Sequence, residues 1–178
     1  LTAIKYLAET GILAIALMFI GWVFVFKNSR ALARQSEINS LAASIEKTLQ
    51  EIADENYKFW KDAENDDETH LAKSKLFSSY IEYRCNIVEK KINLLFDKSV
   101  VCLNPAVSKS SFLADAIDLV ARIRDRSTIN SENLALVKSK YARINSINHL
   151  TMKLFSEVSS FIHLRFQPMT EWKWPENY

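Results

Sequence analysis

Residues Thr10–Phe26 read TGILAIALMFIGWVFVF, seventeen consecutive positions without a charge. As a helix rising 1.5 Å per residue the run spans about 26 Å, near the lower length for crossing a bilayer core. Extending it back through Tyr6, Leu7 and Ala8 lengthens the rod. Lys5 and Glu9 then lie one turn apart near its far end, spaced to pair and to reach outward. Trp22 suits the membrane–water boundary close to Lys27. A cleaved leader fits poorly, because the start is nearly neutral and the small-residue triplet Ala31-Leu32-Ala33 lies beyond Lys27 and Arg30. A buried core helix also fits poorly, since nothing downstream offers enough apolar surface to wrap a rod that is oily all round. Residues 1–27 are therefore expected to form one transmembrane helix.

The flanks set the expected orientation. Lys27, Arg30 and Arg34 precede any acidic residue on the C-terminal side, whereas on the other side Lys5 is balanced by Glu9. Positive flanks stay inside, so the remainder is expected in the cytosol. Cys85 and Cys102 would then stay reduced.

Both glycines of the chain, Gly11 and Gly21, fall in this segment. Gly11, Ala14, Met18 and Gly21 recur at helical spacing, and small residues on one stripe let transmembrane backbones approach closely. No strict G-x-x-x-G is present. The stripe is expected to be a self-association face, which makes a homo-oligomer and the lipid bilayer the first expected partners.

Composition supports helices elsewhere too. Two Gly and three Pro in 178 residues are too few for sandwiches or phosphate-binding Gly loops, which need positive-φ residues at their turns. With 48% hydrophobic and 25% charged residues the chain should fold, and a net charge of +2 carries no polyanion-binding message, so no DNA partner is expected.

After Lys27 the pattern predicts a juxtamembrane helix over 28–66 and a cytosolic bundle over 67–178 that packs with it. Ile38, Leu41, Ile45, Leu49, Ile52 and Phe59/Trp60 form the first stripe. The acidic stretch Glu64–Glu68 reads as a turn and helix N-terminus, where carboxylates complement the helix dipole. A second helix from Thr69 to Asp97 carries Phe77, Ile81, Arg84/Cys85, Val88, Ile92 and Leu95 inward, and a connector runs over Ser99–Ser108, with Cys102 a small buried filler. Ser110 or Ser111 caps a third helix to Arg126 with Phe112, Leu113, Ala116, Val120 and Ile123 inside. Asn130 or Ser131 is expected to start the longest helix, ending at Gln167 before Pro168. Its seam reads Leu134, Val137, Tyr141, Ile144, Asn148, Thr151, Phe155, Val158 and Ile162. The tail Trp172-Lys173-Trp174-Pro175 is amphiphilic, suited to docking on the bundle, a partner or lipid headgroups. The fold class is thus all-α, a single transmembrane helix continuing into a four-helix bundle.

No Walker loop, H-E-x-x-H, zinc-spaced Cys/His cluster or G-x-S-x-G is present, so neither cofactor nor metal is expected. One constellation remains, Arg143-Ile-Asn-Ser-Ile-Asn-His149. Around it Asn145, Ser146, Asn148, His149 and Thr151 form a polar patch where the apolar seam fails. Such a patch either fixes helix register through satisfied hydrogen bonds or serves as a functional or oligomeric surface. His70 and His163 have no comparable setting and are expected to be structural or exposed.

The Arg143…His149 spacing on the last long helix of a bundle resembles the R-x(4-6)-H motif of HEPN domains, helical bundles that often dimerise to cut RNA. That resemblance makes Arg143 the group that engages a scissile phosphate and His149 a general acid or base near the 2′-hydroxyl. The residue after Arg, usually polar in the family, is Ile144 here. In its order of parts the chain also resembles the small membrane accessory proteins of type VI-B CRISPR systems, which implies an oligomeric membrane assembly acting with an RNA-guided nuclease or its RNA. Three functions stay open on these grounds: a pore-forming or membrane-perturbing defence effector, a membrane-tethered HEPN ribonuclease, and a non-enzymatic adaptor or signal-binding protein.

Overall fold

With so few helix-breaking residues, little interrupts helix propagation along the chain. A computed structural model of the protein describes residues 11–64, 67–99 and 109–165. Among the described residues four α-helices occur, in the order α1, Ile12–Asp62; α2, Asp67–Ser99; α3, Lys109–Thr128; and α4, Lys140–Arg165. A 3-10 turn at Leu134–Leu136 precedes α4, and no strand occurs among the described residues. The expected all-α class and the long apolar N-terminal helix are both present.

The chain divides into two compact units, Leu1–Glu37 and Ile38–Tyr178. Ile38 is the first buried residue among those described, and the stretch from Asn28 to Glu37 supplies no side chain to the core.

In the first unit Gly11 has φ 71° and its carbonyl accepts from the Ile15 amide at 3.2 Å. Gly11 therefore precedes the helix in a left-handed conformation that glycine adopts without strain. This leaves Ala14, Met18 and Gly21 on the helix and removes Gly11 from the expected stripe. Lys5 and Glu9 lie outside the described residues. Every residue from Gly11 to Ala33 is exposed. Trp22 and Phe26 stack with centroids 5.7 Å apart, and the Arg30 guanidinium carbon lies 5.5 Å from the Phe26 centroid. The three form a ladder at i, i+4 spacing.

In the second unit α3 packs closely against both α2 and α4. The shared core draws Ile38, Ile45, Leu49 and Ile52 from α1, Phe77 to Leu95 from α2, Ala116, Leu119, Val120 and Ile123 from α3, and Leu150, Leu154, Val158 and Phe161 from α4. Each such Ile, Leu or Phe contributes about 1.5–3 kcal/mol when fully buried. The α1–α2 contact adds a Phe59–Phe77 stack at 3.9 Å and an Arg84–Glu51 ion pair at 2.9 Å. Lys91 Nζ donates to Thr48 Oγ1 at 2.8 Å and to the Ser44 carbonyl at 3.0 Å, tying α2 to α1 through buried Thr48.

The fourth helix departs from its expected bounds. It starts at Lys140, not Asn130 or Ser131, and its 26 residues fall well short of the 51 in α1. Asn130 has φ 57° and lies just beyond α3, where the Ser131 amide bonds to the Thr128 carbonyl at 3.1 Å. Asn suits both a helix start and a left-handed helix end, and here it ends one. Ser139 caps α4 instead, its Oγ accepting from the Ala142 amide at 3.2 Å. Restarting at Lys140 resets the phase. The buried face comprises Ile147, Leu150, Thr151, Leu154, Val158 and Phe161, of which Thr151 and Val158 belong to the expected seam, while Tyr141, expected inside, is 75% exposed. Cys102, the end of the expected fourth helix at Gln167 and the Trp172–Pro175 tail lie outside the described residues.

Candidate functional site

Three places merit attention: the apolar rod, the Arg143/His149 stretch, and a groove beside it. The rod is the simplest. Its most apolar window has a mean hydropathy of 1.9 and none of it is buried within the chain. By length and composition it is the one described helix able to cross a membrane. Gly21 sits in mid-helix with open space where a Cβ would lie, so no contact among the described residues demands glycine there.

On α4 the structure gives the two motif residues different surroundings. The Arg143 guanidinium stacks over the ring of Trp60, 4.4 Å from its centroid, and donates to the Ile129 carbonyl. It thereby joins the end of α1, the exit of α3 and the first turns of α4. Partial burial lowers its pKa, and the neighbouring charge of Arg126 adds to the shift. His149 is exposed. A six-residue offset places the two side chains about 120° apart around the helix, so α4 does not converge them on one point.

The polar patch separates as well. Asn145 and Asn148 are exposed, whereas Thr151 is buried and satisfies its hydroxyl on its own helix through the Asn148 carbonyl at 2.9 Å. Asn148 and Thr151 line a groove of about 530 Å³ with Met152 and Phe155 of α4 and Glu46, Asp54 and Tyr57 of α1. Its charged lining residues are both acidic, the wrong sign for a phosphate backbone.

A polar knot that no sequence motif announces lies at the end of the bundle. Ser131 is 2% exposed; its carbonyl accepts from His70 Nε2 at 2.7 Å, and its Oγ accepts from Ser74 at 2.8 Å and meets Ser78 Oγ at 3.2 Å. A carbonyl only accepts, so Nε2 of His70 carries a proton. Lys140 Nζ donates to the Ala63 carbonyl nearby. The spacing of His70, Ser74 and Ser78 on one helix face is the signal that could have found it. Buried Trp60 and Asn56, four residues apart on α1, keep an indole nitrogen and an amide oxygen without a hydrogen-bond partner among the described residues.

Cys85 is fully buried, and desolvation pushes its thiol up to about 12, which makes it unreactive as a nucleophile. No cluster of three His, Cys, Asp or Glu residues able to hold a metal occurs among the described residues. No known family, curated protein or solved structure matches the chain.

Proposed function

We propose that this chain is a single-pass membrane protein whose copies associate through the apolar helix and perturb the bilayer, with the bundle in the cytosol. The observation that carries the reading is the exposure of every residue from Ile12 to Phe26, a stretch with ten Ile, Leu, Val and Phe and no charge. On an insertion scale these ten side chains favour lipid by about 3–6 kcal/mol at mid-membrane. Lys27, Arg30 and Arg34 support a cytosolic placement of the bundle.

A lone spanning helix encloses no aqueous path; several copies around an axis do. Ala14, Met18 and Gly21 supply the flank for close approach, and a wall of Ile, Leu and Phe favours a narrow, dewetting path that opens only on demand. The layout further suggests a defence role beside an RNA-guided nuclease, with a HEPN-like bundle as the sensing part. Cleavage of RNA by Arg143 and His149 is the weaker reading, because Arg143 is engaged by Trp60 and the Ile129 carbonyl.

Reconstitution into dye-loaded vesicles tests the proposal. Leakage that rises steeply with protein-to-lipid ratio, together with a mass of several copies in detergent, is the expected result. A monomer that inserts and leaves vesicles sealed at every ratio would overturn it.

A further inference from the structure

We propose that Lys27, Arg30 and Arg34 together form a binding face for the phosphate of anionic phospholipid headgroups, an inference that rests on the membrane reading above. At 100° per residue the three side chains fall within an arc of roughly 60° on α1. Lys27 and Arg30 are exposed, Arg34 is partly covered, and no ion pair joins any of them to a carboxylate among the described residues.

Placement favours lipid as the ligand. Phe26 is the last residue of the uncharged run, so the cations begin where the hydrocarbon ends. The face extends about 10 Å along the axis, against a headgroup layer of about 5–8 Å per leaflet. Helical side chains lean toward the N-terminus, which here is the apolar end, so Arg34 reaches back toward the headgroups. Arg30 is held in position by its stack on Phe26, itself stacked on Trp22. A guanidinium oriented in this way presents its fork of N–H donors to phosphate oxygens in a bidentate manner. An RNA ligand fits less well, because three cations on one short stretch of helix in a chain with net charge +2 offer no track for a polyanion.

The experiment reconstitutes the full chain into vesicles of phosphatidylglycerol or phosphatidylcholine and measures lipid retained after detergent extraction by native mass spectrometry. Incorporation resistant to alkaline washing is scored separately. Wild type is expected to retain phosphatidylglycerol preferentially. Each of Lys27→Gln, Arg30→Gln and Arg34→Gln should lower that retention about fivefold, and the triple variant about a hundredfold, while incorporation is unchanged. Incorporation with equal retention of both lipids, or retention unaltered in the triple variant, overturns the headgroup site and leaves the membrane reading standing. Preference for added RNA over phosphatidylglycerol also overturns it. Failure to incorporate into either vesicle overturns both.

Discussion

The Arg143 guanidinium lies 4.4 Å from the centroid of the Trp60 ring and donates to the Ile129 carbonyl, so one side chain joins the ends of α1 and α3 to the start of α4. Its motif partner His149 is exposed on the same helix. Stability should therefore distinguish the two. Arg143→Ala is expected to lower the unfolding free energy by about 2 kcal/mol, from the lost cation–π contact and charged hydrogen bond. His149→Ala should stay within about 0.5 kcal/mol of wild type. Denaturant titration in detergent measures both, and equal losses would contradict the asymmetry.

Lys91 and Thr48 should prove coupled. The ammonium donates to Thr48 Oγ1 at 2.8 Å and to the Ser44 carbonyl at 3.0 Å, and desolvation lowers its pKa. A double-mutant cycle of Lys91→Ala and Thr48→Ala is expected to give an interaction energy of about 1 kcal/mol. An additive pair would mean that the bond contributes nothing net.

Cys85 supplies a pH signature. Its thiol is pushed up to about 12 in the fold, from an ordinary 9.0, first by desolvation and then by Glu89, with Arg124 opposing. Above pH 9 the unfolded chain releases this proton while the folded chain keeps it. The folded state then binds more protons, and its stability falls as pH rises toward 12. Stability measured against pH should lose part of that alkaline decline in Cys85→Ala. In a Cys102→Ser background, thiol reagents at pH 8 should leave Cys85 unmodified until the bundle unfolds.

Asn130 has φ 57°, a region that β-branched residues strongly avoid. Asn130→Val is expected to cost about 1–2 kcal/mol and Asn130→Gly to be near neutral. Thermal unfolding of the two variants checks this, and an unperturbed valine variant would argue for a different exit from α3.

A Cβ at Gly21 would meet no atom of the described residues, so changes there should act between copies. Gly21→Leu is expected to reduce the detergent-solubilised mass to smaller species while the melting of the bundle is unchanged. An unaltered mass would move the association face away from this stripe.

Much of the architecture was legible in the residues alone, because it depends on local periodicity and on solvent. A charge-free run ending at Phe26 has few stable environments, however the rest of the chain folds. The α2 stripe of Phe77, Ile81, Cys85, Val88, Ile92 and Leu95 is buried as its spacing requires, since an unbroken helix carries its phase along its whole length. Phase is lost wherever the helix stops. Between Thr128 and Lys140 the left-handed Asn130 and the Leu134–Leu136 turn reset it, which is why the expected α4 seam holds only in part, with Thr151 and Val158 buried but Tyr141 and Asn148 exposed. Partner choice is likewise a tertiary matter. Whether an arginine meets a phosphate or a tryptophan depends on what the other helices bring to it, and Trp60 is 83 positions away in a sequence whose pairwise contacts no spacing rule encodes. The same holds for Ser131, where His70, Ser74 and Ser78 converge only once α2 packs beside the α3–α4 connection.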